Sequence, residues 1–148
     1  MKSNWQQIIG ERKNAILEQW LQSALALFPE KMASGTPTGE ALLEGMSMVL
    51  DNFDGNQESC GEGINSIARI FAVQPFRPSV ALSLFPLLGE LIGEKAPASA
   101  DTEVLKARIN AITFEAFDRF LENREKIYQL KVEETRSQLH MLLRSTVS

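Results

Sequence analysis

Apolar positions along this chain recur at steps of three and four, so the sequence reads as helix almost throughout. Trp5, Ile8, Ile9, Ile16, Trp20, Ala24, Leu27 and Phe28 share one face of a first helix, from about Ser3 to Phe28, with Ser3 as its cap. Pro29 and the run Ala33-Ser34-Gly35-Thr36-Pro37 end it. A second helix, started by Thr36 with Pro37 or by Thr38, reaches about Phe53 and buries Leu42, Met46, Val49 and Phe53. Asp54-Gly55-Asn56-Gln57-Glu58 reads as a polar loop, with Gly61 and Gly63 keeping its end loose. A short third helix, about Glu62 to Val73, turns Ile64, Ile67, Ala68 and Phe71 inward. Gln74-Pro75-Phe76-Arg77-Pro78 is a rigid connector, because each proline biases the residue before it away from helix. A fourth helix, from Pro78 to about Gly93, is apolar nearly all round; this marks a central element, which Pro86 should kink.

The last 48 residues differ from the rest. All nine Gly and all six Pro fall before Asp101. A stretch without breakers, rich in Leu, Glu, Lys, Arg and Ala, predicts continuous helix capped by Ser99 or Asp101. Its full length would be roughly 70 Å at ~1.5 Å per residue. A compact domain of this size is only about 38 Å across. The helix must therefore fold back or project, and a projecting helix implies a partner. Phe114 and Phe117 read as core, with Leu121 at its rim. Beyond them Tyr128, Val132, Thr135, Leu139 and Leu142 step by four, three, four and three, a short heptad seam. Asn123 is the one turn residue that would let Ile127 to Leu143 fold back as a sixth helix. These patterns predict an all-α chain with a helical body over 1–121 and an extension over 122–148 for dimerisation or docking.

Composition narrows the function classes. A net charge of −4 and no basic stripe argue against nucleic acid as the main partner. The N-terminus lacks the apolar core of a signal peptide, and Val80 to Ile92 is too short for a bilayer, so the expectation is a cytoplasmic protein. Cys60, the single cysteine, excludes an internal disulfide and a cysteine-based zinc site. A redox role would need a lowered thiol pKa, against which Glu58 and Glu62 work. His140, the single histidine, lies near the far end of the terminal helix, where an exposed helical residue is the ordinary reading. Glu115, Asp118, Glu122 and Glu125 lack the histidines of a di-iron bundle and read as a solvated face, with Arg119, Arg124 and Lys126 as counter-charges. The Asp54 loop has its glycine in the wrong place for calcium. Arg69, Gln74 and Arg77 surround the connector, where they either meet an anionic ligand or bond backbone carbonyls near the turn. No cofactor, metal site or catalytic pair is expected.

The stretch from Ile64 through Ala68-Arg69-Ile70-Phe71 and Gln74-Pro75-Phe76-Arg77-Pro78 to Ile92 resembles the N-terminal domain of the RsbRD type of RsbT co-antagonist proteins. Ile16-Leu17-Glu18-Gln19-Trp20-Leu21, Phe28-Pro29 and the glycine-punctuated second helix fit the same pattern, which covers roughly Ile8 to Arg124. The resemblance implies a sensory domain in bacterial stress signalling. Related domains are globin-like without haem, dimerise, and pass a signal through a linking helix to a STAS output domain. The expected fold is thus a single globin-like or irregular bundle of about five helices with a long C-terminal helix. No STAS pattern is present in this sequence, so only the sensing or interaction half is carried over. The alternative is a helical protein that binds a small molecule in its core.

Overall fold

The computed structural model describes residues 4–147 and contains only helices and their connections among them. They are α1 (Trp5–Leu25), α2 (Pro37–Asp51), α3 (Gln57–Ala72), α4 (Pro78–Leu82), α5 (Leu84–Lys95) and α6 (Thr102–Val147). α4 and α5 are one kinked element, so the fold is an irregular bundle of five helices whose last member is much the longest.

Several starts follow the sequence. Thr36 accepts a hydrogen bond from the Gly39 N–H, and Pro37 opens α2. Asp101 accepts from the Glu103 and Val104 N–H groups at the head of α6. Ser3 lies outside the described residues; the side chain that caps α1 is Asn4, which accepts from the Gln7 N–H. α1 also ends three residues earlier than expected, yet Phe28 still reaches the core against Phe71 and Phe76. The kink attributed to Pro86 falls at Ser83, one turn upstream. Proline clashes with the carbonyl four residues before it, here that of Leu82, the last residue of α4.

The third helix departs most from expectation. It begins at Gln57, with Asn56 as its cap, and takes in Cys60, Gly61 and Gly63. The two glycines do not loosen it. A Cβ at Gly63 would lie 2.7 Å from the Gly45 carbonyl oxygen and 2.9 Å from Met48 Cβ. Gly45 and Gly63 therefore let α2 and α3 cross almost backbone to backbone, which a side chain would prevent.

The core lies between α1, α2, α3, α5 and the first half of α6. Trp5, Trp20, Phe53, Phe71, Phe85 and Phe120 are its largest fully buried members. Both indoles keep a hydrogen bond when buried: Trp20 donates to the Leu84 carbonyl at 2.8 Å, and Trp5 to the Asp101 carbonyl at 3.2 Å. Gln6 joins α1 to the end of α2, donating to the Leu50 carbonyl and accepting from the Asp54 N–H. No buried polar side-chain atom among the described residues lacks a partner.

Candidate functional site

α6 is unbroken for 46 residues, about 69 Å at 1.5 Å per residue. Asn123 makes no turn; it donates to Asn65 and to the Arg119 carbonyl from within the helix. The alternative of a folded-back sixth helix is thereby closed. The first half of α6 packs on the globule through Leu105, Ile109, Ile112, Ala116 and Phe120. Phe114 and Phe117, expected in the core, are on another side. Phe114 is 70% exposed and Phe117 is also exposed, as is Leu121. The 3.6-residue period explains this, because Ile112, Ala116 and Phe120 already occupy the inward face.

Arg124 is the last polar anchor on the globule. Its guanidinium donates to three carbonyls, those of Ala72, Gln74 and Phe76, at 3.3, 2.7 and 2.9 Å. It also lies over the Phe120 ring, 4.3 Å from its centre. This satisfies acceptors at the end of α3 and in the connector. Arg124 is thus no surface counter-charge; that role belongs to Arg119, which pairs with Glu115 and Glu122. Beyond Arg124 only Ile127 and Val132 are half-buried, and every other side chain through Thr146 is exposed.

Tyr128 is 68% and Leu142 64% exposed, Leu139 is exposed, and Val132 is half-buried. Phe114 and Leu121 prolong their line toward the globule. Phe114, Leu121, Tyr128, Thr135 and Leu142 are each seven residues apart. Phe117, Val132 and Leu139 flank that line. At ~100° per residue the stripe points about 125° away from the buried face. The seven-residue spacing carries this signal in the sequence, whereas size and apolarity alone point the two phenylalanines to the core. Leu130 and Met141 are exposed off the stripe, while Leu143 borders it.

Arg69 and Arg77 are exposed and Gln74 is half-buried. Their side chains make no hydrogen bond or ion pair among the described residues, whereas their carbonyls are engaged. That of Arg69 accepts from Val73, that of Gln74 from Arg124, and that of Arg77 from Val80 and Ala81. The structure does not gather the three into one anion site. It does bring Gln74 and Tyr128 together, on the two walls of a groove of about 470 Å³ beside Arg124. A second groove, about 380 Å³, runs between α5 and α6 past Pro86, Gly89, Leu105 and Ile109.

Cys60 is buried in the first turn of α3 rather than in a loop. Burial raises its thiol pKa; nearby Arg108 opposes this by charge and by a 3.5 Å contact to Sγ, and Glu115 adds to it. The thiol is therefore held protonated, the reverse of a poised redox sensor. Arg108 itself donates to the Phe53 carbonyl and ties α6 to the end of α2. His140 is exposed on the tail. Among the described residues no three metal-ligating side chains cluster, and no helix is long and apolar enough to cross a membrane.

No family model and no solved structure matches the chain. It is similar to an uncharacterized protein of Archaeoglobus fulgidus, 24% identical over 134 residues, spanning 88% of this chain and 89% of the relative.

Proposed function

We propose that this chain is a non-enzymatic sensory or protein-interaction domain that communicates through α6. The observation that carries this reading is the exposed apolar stripe on a helix whose second half leaves the globule. A row of Tyr and Leu side chains held in water along a rigid helix is stabilised by a partner that covers it. A signal would be a small shift of α6 against the body, of the kind that moves helices at other interfaces. A role in bacterial stress signalling, in the cytoplasm, is supported by the resemblance of the Ile64–Ile92 segment to the RsbRD N-terminal domain. Sedimentation and partner binding of the intact chain, beside a version ending at Glu125, test the reading. Loss of association in the shortened chain is expected; equal mass and equal binding would sink it.

A second reading, a small-molecule-binding helical protein, is favoured by the largely apolar groove between α5 and α6. An occupant there would touch Ile109 and Leu105 and so press on the same helix. Native mass spectrometry that finds no retained small molecule, with no visible absorption band, would count against it.

A further inference from the structure

We infer that the partner of α6 is the α6 of a second copy of this chain, paired antiparallel in one register. The inference rests on the interaction role proposed above and names its partner. The stripe supplies the area. Phe114, Phe117, Leu121, Tyr128, Val132, Leu139 and Leu142 each offer on the order of 100 Å², about 700 Å² per copy, close to the ~800 Å² per partner of a stable interface. Apart from the connector beside Tyr128 and the partial cover of Val132, no described element covers this side of α6, and the core packs on another face.

The direction follows from the polar residues that interrupt the stripe. Asp118 and Glu125 occupy the heptad position next to the Phe114–Leu142 line. In a parallel pair Asp118 would face Asp118 and Glu125 would face Glu125 at the seam, with Lys131 beside Arg136. Like charges so placed oppose pairing. An antiparallel pair has a register in which every layer matches in kind. Phe114 faces Leu139, Leu121 faces Val132, and Leu142 faces the small Ala111. Asp118 faces the hydroxyl of Thr135, and Glu125 faces the hydroxyl of Tyr128. Thr135 now donates to the Lys131 carbonyl and would have to rotate. Glu115 comes beside Arg136, an opposite pair, though its carboxylate now lies by Gly61 of α3 and Arg119 and would have to rotate. Arg124 comes near Lys131, but its guanidinium is turned to three carbonyls at the end of α3 and in the connector of its own chain. Sliding by one heptad sets Asp118 against Leu142 and Phe114 against Thr146, so this register is preferred. Each tail then lies along the outer side of the other copy's globule-bound half.

The test uses the full chain. Sedimentation should give a dimer at micromolar concentration, and Phe114→Glu should weaken dimerisation about 100-fold or more. Leu139→Glu, well off the globule, should do the same, and circular dichroism checks that each variant keeps its helix. A nitroxide on Arg144→Cys, in a Cys60→Ala background, reads the direction. The register predicts about 50 Å between the two labels, against about 10–20 Å for a parallel pair. A short distance overturns the inference while leaving the interaction role of α6 intact. A monomeric wild type also overturns it, and the Glu125 truncation then decides separately whether α6 binds another protein.

Discussion

α6 is two helices in the physical sense, although its backbone is one. From Thr102 to Arg124 it has an inside and an outside: Ile112, Ala116 and Phe120 face the core, and Arg108 and Arg124 bind carbonyls of other elements. From Glu125 to Thr146 no side chain is buried. The same propensity and freedom from breakers serve both halves, yet tertiary packing stabilises only the first. The tail borrows its nucleus from a helix already held by the globule. Helix propensity therefore says how far the helix runs, while the apolar period says how far it is held.

The contrast is tested most severely inside the core. Phe120→Ala should lower the unfolding free energy by about 3–5 kcal/mol, read by urea denaturation. A loss under about 1 kcal/mol would mean that α6 is not the wall the structure makes it. Arg124→Ala should cost about 2–3 kcal/mol, and lysine should not restore it, because a compact ammonium lacks the spread fork of N–H donors that reaches three carbonyls from Nε and both terminal nitrogens. Gly63→Ala should cost about 1–3 kcal/mol through overpacking at the α2–α3 crossing. In the tail, Leu130→Ser should stay within about 0.5 kcal/mol. A larger loss there would show that the tail is packed after all.

The smallest effect is linked to pH. Folding raises the Cys60 pKa, so above the ordinary thiol value the unfolded chain loses its proton first. Stability should be unaffected below that point and fall as pH rises through it. Melting curves of wild type and Cys60→Ala between neutral and alkaline pH should diverge in that direction. Parallel curves would mean that the thiol is not desolvated by folding.

Much of the fold was legible because it is local. Thr36-Pro37 and Asp101 announce helix starts through side chains that bond their own neighbours. Ile64, Ile67 and Phe71 announce a buried face through spacing. What was illegible depends on another element. Gly61 and Gly63 read as breakers when only backbone entropy is counted; Gly45, eighteen residues before Gly63, is what makes that helix favourable. Phe114 and Phe117 read as core because they are large and apolar, but a helix has one inward face and Ile112, Ala116 and Phe120 fill it. Arg124 read as a surface charge because its three acceptors lie about fifty residues away. The tail residues Tyr128, Val132, Leu139 and Leu142 were found by spacing alone; their extension toward Phe114 needed the burial of the opposite side.

The guanidinium of Arg124 has a mechanical consequence. It sits at the fulcrum of a rigid arm about 35 Å long, from Glu125 to Val147. A tilt of about 10° at that point displaces the arm's tip by about 6 Å, roughly the 5.4 Å pitch of one helical turn. Three hydrogen bonds set that angle; two of their acceptors belong to the Gln74–Phe76 connector, and the third, Ala72, closes α3. A rearrangement of about 1 Å where the guanidinium meets its acceptors, roughly 6 Å from the helix axis, is thus geared up about sixfold at the far end.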